Sequence, residues 1–377
     1  MACGCDDQQW RHLMRRQILT ADNAAANGDL PPVPEGHLLL SSPPLAALPN
    51  GSFVSPRVEM YGDVAIGAGC FVASNTIFAA AQHQRISLGD VTNCQDNAYL
   101  LADTSHLRVG HHVSIAHQAV IENSVVGDFT FFGFRSRVRN SVIGPGCMVM
   151  HSTTVEGVTL PPRRITPAGV AITTQEQADA LPELGEPQEQ FHSEVLSVNE
   201  EFAEAYSRVY LEAGAASLVG VGPNPPTSFN PRAVQPTLGD GVRLAELVRI
   251  VGDVRLGDRC RVNQRTALRA DEGTPIIVGR NGRIGGRVTF HALLGTSVSV
   301  GNSAWIGDEC VLHGPLQVGH NLICEDGAVL FRAQVEDNVT LRSGSTVIGD
   351  VLLREGTIVP EGAVIETQAQ ADALPTR

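Results

Sequence analysis

Apolar residues recur every six positions through much of this 377-residue chain. The clearest run is Ile323, Val329, Val335, Leu341, Val347, Leu353, Val359 and Ile365. Neither an α-helix nor an alternating strand has that period. It marks a parallel β-helix, in which each hexad makes one flat side and three sides close a coil of about 18 residues. A second run in the same half reads Val288, Leu294, Val300, Ile306, Leu312 and Val318. In the first half the register reads Val109, Ile115, Ile121, slips by one to Val126, Phe132, Val138, and slips again to Ile143, Val149, Val155. Such slips are the adjustments expected at corners.

The chain is also a tandem duplication. Thr174-Gln175, then Gln177-Ala178-Asp179-Ala180-Leu181-Pro182, returns as Thr367-Gln368, then Gln370-Ala371-Asp372-Ala373-Leu374-Pro375. The expected fold is all-β with a short α element. An extension over residues 1–48 precedes a left-handed β-helix over 49–172, a helix and linker over 173–236, and a second left-handed β-helix over 237–377. The 38 glycines and only 5% aromatic residues suit stacked strands with tight corners. In the extension, Trp10, Leu13, Met14 and Ile18 sit at helical spacing between Arg11, Arg15 and Arg16. They predict either a docking helix for a partner or a terminal helix packed on its own domain. Over residues 191–210 the spacing becomes helical, with Phe191, Val195, Val198, Phe202, Tyr206 and Val209 on one face. That helix is expected against a β-helix or across a subunit boundary. Residues 220–236, with five Pro and two Gly, read as the interdomain linker.

A net charge of −13 offers no basic stripe for nucleic acid. No apolar stretch approaches the roughly 20 residues of a membrane span, and no basic segment precedes an apolar one. A cytoplasmic chain is expected. The eight cysteines are scattered, and disulfides are not needed in a chain of this size. Cys3 and Cys5 read as a surface feature rather than a metal or redox pair.

Four segments carry a resemblance. They are Thr92-Asn93-Cys94-Gln95-Asp96-Asn97, Val113-Ser114-Ile115-Ala116-His117-Gln118-Ala119, Arg269-Ala270-Asp271-Glu272-Gly273-Thr274-Pro275, and Leu312-His313-Gly314-Pro315. Together they resemble the γ-class carbonic anhydrases, and within that family the γ-anhydrase-like domain of carboxysome scaffold proteins, over about residues 50–377. The resemblance implies Zn2+ held by three histidines. Its ligand positions fall on Leu101, His117 and Glu122 in the first half and on His291, Asp308 and His313 in the second. Neither half holds three histidines, yet together they hold one set.

The second and third positions lie five residues apart, about 16 Å on extended chain, so one half cannot supply both to one ion. His291 and His313 are 22 residues apart, near one full coil. His117 of the first half would therefore face His291 and His313 of the second. The family's arginine and carboxylate match Arg269 and Glu272, where the first half has Ala79 and Gln82; its Gln-Asp pair matches Gln95 and Asp96, where the second half has Gly285 and Gly286. As the resemblance implies, Glu272 would accept or relay a proton, Gln95 would orient hydroxide or substrate, and an Arg269–Asp96 pair would bridge the domains.

The implied reaction is hydration of carbon dioxide to bicarbonate, in a lyase assembled by side-by-side packing of β-helices into an oligomer. Alternatively, the first half has lost its site and His117 is a surviving corner residue. A second functional class is a non-catalytic scaffold of a carbon-fixing microcompartment such as the carboxysome, its N-terminal helix docking on a shell or enzyme partner. A hexapeptide acyltransferase fits these motifs less well. The other histidines, His12, His37, His83, His106, His111, His112, His151, His192 and His320, are expected at corners or on the surface.

Overall fold

Short parallel strands stacked in register build both halves of the chain. In the computed structural model, residues 50–377 are described, and the docking-helix expectation over residues 1–48, with Cys3 and Cys5, lies outside them. In the first half three sheets of six, seven and six strands form the three sides of a parallel β-helix. Its interior is a column of side chains one per rung. Cys94, Ile115, Phe132 and Val149 align in one such column, all essentially inaccessible. The next sides continue from Ile115 to Ile121 and then to Val126, so the third side is one residue short of a hexad. That shortfall is the origin of the slips in the sequence.

The second half has a seven-stranded sheet and a twelve-stranded one in which two sides merge. They merge because the strands Val311–Val318, Val329–Val335 and Thr346–Leu353 run through a corner without breaking. The register shifts between His313 and Leu316 and between Phe331 and Ala333. These shifts explain where the expected hexad phase fails. Leu294 is 49% exposed in the loop after Thr289–Ala292. Ile323 is half-buried, and Cys324 takes the inward place between Ile306 and Leu341. Val329 is buried but outward, among residues packed between the two β-helices, while Leu330 fills the core. The corner then resets the phase, and Val335, Leu341, Val347, Leu353, Val359 and Ile365 all join the interior cluster.

The duplicated element closes the C-terminal end of each β-helix, where a solenoid would otherwise leave its core and strand edge open. Helix α1 (Gln175–Asp179) starts at a capping box on Thr174, and Ala178 plugs the core beneath it. Gln175 uses its side-chain amide as a mock strand, donating to the Thr159 carbonyl at 2.7 Å and accepting from the Thr159 N–H at 3.0 Å. At the far end Thr367, Gln368 and Ala371 repeat the arrangement on Leu352, opening helix α3 (Gln368–Asp372). Losing a capping hydroxyl costs about 1 kcal/mol. Thr174→Ala and Thr367→Ala should each lower stability by about that much in denaturant titrations; no shift in midpoint for either would show that the boxes do not secure the ends.

Helix α2 spans Glu186–Ala213, longer than the expected 191–210. Its buried stripe is rotated from the expected face. His192, Leu196, Asn199, Phe202, Ala203 and Tyr206 are buried, whereas Phe191, Val195, Val198 and Val209 flank them half-exposed. Phe202 and Tyr206 pack on Phe53 and Phe71 of the first β-helix. The proline-rich segment that follows is docked rather than free. Val221–Gly222 adds a parallel strand beside Ile250 and Val251 of the second β-helix. Asn230 donates to the carbonyls of Asp271 and Glu272 at 2.7 and 2.9 Å.

One corner of the first β-helix forms a ridge along the second. Asn75, Asn97, Gln118, Arg135 and Ser152, one per coil, all have positive φ. Each reaches across. Asn75 donates to the Arg265 carbonyl, Asn97 to Thr289 Oγ1, Gln118 to the Arg287 and Cys310 carbonyls, and Arg135 to the Glu309 carbonyl. Ser152 Oγ meets Thr346 Oγ1 at 2.7 Å. Gly327 lies so close under the Arg135 guanidinium that an added Cβ would stand 2.6 Å from Nη2.

Candidate metal centre

The residue just before each ridge residue points along the seam, and those side chains include Asp96, His117, Phe134 and His151. Opposite them, the outward column of the second β-helix steps through Val251, Arg269, His291, His313, Phe331 and Ile348, coil by coil. His291 and His313 are in-register partners on adjacent strands. That is the physical content of their 22-residue spacing. The same column in the first β-helix reads Tyr61, Ala79, Leu101, Glu122 and Arg139, with no ligand set.

His117, His291 and His313 each place a ring nitrogen within 4.8 Å of the other two, and all three are buried. Among the described residues this is the group found with such convergence. His291 Nδ1 and His313 Nε2 are 3.3 Å apart. Two nitrogens each about 2.0–2.1 Å from a tetrahedral ion lie about 3.3–3.4 Å apart, so this edge fits zinc. Polar partners stand at the other nitrogen of each ring. His313 Nδ1 is 3.1 Å from the Gly314 carbonyl, which can only accept, and His291 Nε2 is 3.3 Å from Asp271 Oδ1. His291 Nε2 is also 3.3 Å from Arg269 Nη2; in the tautomer whose proton points to Asp271, two lone pairs face each other across the 3.3 Å edge, an arrangement that a cation satisfies. Burial, reinforced for His313 by the neighbouring imidazoles, pushes His313 well below its ordinary value, and burial brings His117 down to about 4 despite Asp96. Neutral imidazoles are the form that binds metal.

A charged network surrounds the rings. Arg269 Nη1 reaches Asp96 Oδ2 of the first β-helix at 2.9 Å, and its Nε reaches Asp271 Oδ2 at 3.1 Å. The guanidinium also lies 5.6 Å from the Phe71 ring and 5.5 Å from the Phe202 ring, so α2 helps to enclose it. Burial alone would raise the carboxyls of Asp96 and Asp271, but Arg269 together with the neighbouring imidazoles, and Tyr206 for Asp271, outweighs it and holds both below the usual carboxylate range. Asp271 accepts from Tyr206 Oη at 2.5 Å as well. Asp96 Oδ2 is 3.5 Å from His117 Nδ1, a long contact that leaves Nδ1 without a well-aligned hydrogen bond.

Glu272 Oε1 accepts from the Leu294 N–H at 2.8 Å, and Oε2 lies 3.7 Å from His291 Nε2. Burial raises its carboxyl. Gln95 is held by α2, its Nε2 donating to Asn199 Oδ1 at 2.5 Å, while its buried Oε1 has no partner. Leu101 and Glu122 stand on the outward face of the first β-helix, Glu122 beside Arg139 at 3.4 Å. Asp308 Oδ1 accepts from the Gly286 N–H at 2.7 Å. Asp271, Tyr206 and Asn199 had no assigned role in the sequence reading. Asp271 lies in the Arg269–Pro275 segment, but only the fold brings α2 against it.

Two histidines expected at corners or on the surface are interior. His151, just before the ridge residue Ser152, accepts from the Phe134 N–H at 2.9 Å and stacks on that ring at 4.5 Å. His192 is buried under α2 against Ser114 Oγ at 3.2 Å. Exposed His106, His111 and His320 instead accept backbone N–H groups at corners. Phe134 stacks on His313 at 4.8 Å and meets Phe331 edge-on at 5.5 Å, so an aromatic wall backs the three imidazoles.

A region covering 41% of the chain is 30% identical to the carbonic anhydrase of Methanosarcina thermophila, over 72% of that protein. The carboxysome assembly protein CcmM of a Nostoc species is 32% identical over 47% of the chain and 33% of its own length. Its counterpart from Synechococcus elongatus is 34% identical over 38% of the chain and 30% of its own length. The chain thus spans about a third of these assembly proteins. Among solved structures, an acetyltransferase-type protein of Bacillus cereus matches 42% of the chain and 90% of its own at 19% identity and TM-score 0.39. No protein-family profile matches.

Proposed function

The chain belongs to the γ-class carbonic anhydrase family, and on that premise we propose that it hydrates carbon dioxide to bicarbonate at zinc held by His117, His291 and His313. The observation that carries this reading is the convergence of three buried imidazoles from two β-helices, with a nitrogen pair at 3.3 Å. Bound there, zinc would supply a Lewis acid and an acidified water near neutral pH.

The remaining work falls to the chain. Asp271 accepts at His291 Nε2 in the metal-binding tautomer, the Gly314 carbonyl accepts at His313 Nδ1, and Asp96 stands nearest His117 Nδ1. Such outer partners orient metal-binding rings and raise their basicity. Arg269 ties Asp96 to Asp271 and so keeps the two β-helices in register across the site. Glu272 presents Oε2 on the His291 side with its proton affinity raised by burial, which suits receiving a proton and passing it outward. Gln95 Oε1 is the free acceptor for orienting a hydroxyl or substrate. Phe134 and Phe331 keep bulk water off one flank.

Metal analysis tests this. Purified full-length protein should carry one zinc per chain, and hydration should vanish on chelation and return with zinc. Two zinc ions per chain would overturn the shared site. A second reading follows from the likeness to carboxysome assembly proteins: a non-catalytic assembly role within a carboxysome, with partners bound through other surfaces. One zinc per chain without hydration above background would select it.

A further inference from the structure

The duplication allows the two halves to be compared face by face. In the first β-helix the outward side chains of the first side are Phe53, Phe71, Asn93, Ser114, Phe131 and Met148, in register on successive coils. Helix α2 covers them through Phe191, His192, Phe202 and Tyr206. The corresponding side of the second β-helix reads Arg243, Arg261, Arg283 and Trp305, again in register. No helix among the described residues covers it. All four side chains are exposed, Trp305 by 42%.

In-register residues on neighbouring strands are about 4.8 Å apart, so the three guanidiniums form a like-charged ladder, an unfavourable arrangement left without counter-charge. Their backbone N–H groups are paired in the sheet, but among the described residues none of the three guanidiniums has an ion pair or hydrogen bond. Arg259 and Arg280 stand at the adjoining corner, where Asp240 and Asp258 offset them. The ladder lies on a chain whose net charge is −13. The complementary surface is present on the same molecule. The exposed side of α2 carries Glu200, Glu204 and Leu211, which fall within one helical face, with Glu186 in line one end further. From Glu200 to Leu211 is about 16 Å at 1.5 Å per residue. From Arg243 to Trp305 is about 14 Å at one rung per strand. The order of chemistry agrees too, acids leading past Arg208 at the edge of the face to an exposed Leu on one side and arginines leading to an exposed Trp on the other.

We propose that the Arg243–Arg261–Arg283–Trp305 face is a docking surface for the acidic face of α2 of a second copy of this chain. The contact is head-to-tail, so repeated use builds a ring or a row of copies. It is independent of the zinc reading, since neither surface includes a ring of the metal centre.

Sedimentation of the full chain at about 0.05 M and about 0.5 M salt tests it, because surface charge pairs are screened as the Debye length shortens. Low salt should at least double the apparent mass relative to high salt. A variant carrying Arg243→Glu, Arg261→Glu and Arg283→Glu should lose that salt-dependent increase, and so should one carrying Glu200→Lys and Glu204→Lys. Combining all five substitutions in one chain should restore it, with unchanged circular dichroism throughout. A wild-type mass insensitive to salt would overturn the proposal. So would salt-dependent association that survives the arginine reversals, or a five-fold variant that fails to re-associate.

Discussion

Replacing His117 by Ala is expected to abolish both tight zinc binding and carbon dioxide hydration, although His117 belongs to the half of the chain that contributes neither other imidazole. Loss of an outer partner of a metal ligand already costs roughly 10–100-fold in affinity or activity, and loss of a ligand should cost more. His291→Ala, in the other half, should have the same effect. The double variant should then be scarcely worse than either single one, because residues that act as one unit do not contribute additively. Glu122→Ala should be mild, since Glu122 faces away beside Arg139. Zinc content and stopped-flow hydration of the four variants decide the matter. An active His117→Ala beside a dead His291→Ala would mean that the first β-helix takes no part.

A comparable effect on stability is expected for Leu341→Asp. Leu341 is fully inaccessible, stacked between Cys324 and Val359 in the core column. A carboxylate there has no partner and would cost several kcal/mol, against about 5–15 kcal/mol holding a typical domain together. The second β-helix should unfold, visible as loss of its cooperative transition. Asn338→Asp, three residues earlier, should change stability by at most about 1 kcal/mol. Asn338 is half-buried at φ 61, a left-handed corner that Asp tolerates, and the change exchanges its hydrogen bond to Glu355 for a repulsion between two solvent-screened carboxylates. Equal stability of the two variants would mean that the inward register has been misplaced.

The interior of the β-helices was legible because period six is a local property of the chain: Leu341, Val347 and Leu353 need no knowledge of distant neighbours. The phase failed at Leu294, which falls in the loop after Thr289–Ala292, and at Ile323 and Val329, which lie between and within the long strands that turn a corner. Those corrections depend on hydrogen bonds between coils, which no spacing in one coil reports. The three imidazoles came from a resemblance combined with reach along an extended strand, and in the structure their ring nitrogens lie within 4.8 Å of one another. Tyr206, Asn199 and Asp271 were hidden for another reason. Tyr206 looked like one more apolar position of an amphipathic helix, and only its docking against the seam turns its hydroxyl toward a carboxylate. His151 and His192 were misjudged likewise, because burial of a single imidazole is decided by what packs over it.

The ridge of Asn75, Asn97, Gln118, Arg135 and Ser152 has a further consequence, because both sides of the seam are made of one polypeptide. Three imidazoles that met only at a boundary between separate molecules would part on dilution. Here their encounter is intramolecular, and a tether of this kind sets an effective concentration in the millimolar range or above, whatever the amount of protein present. Specific catalytic power, if measured across a wide range of enzyme concentration, should therefore be flat, and the two halves are free to specialise without either having to remain a match for a copy of itself.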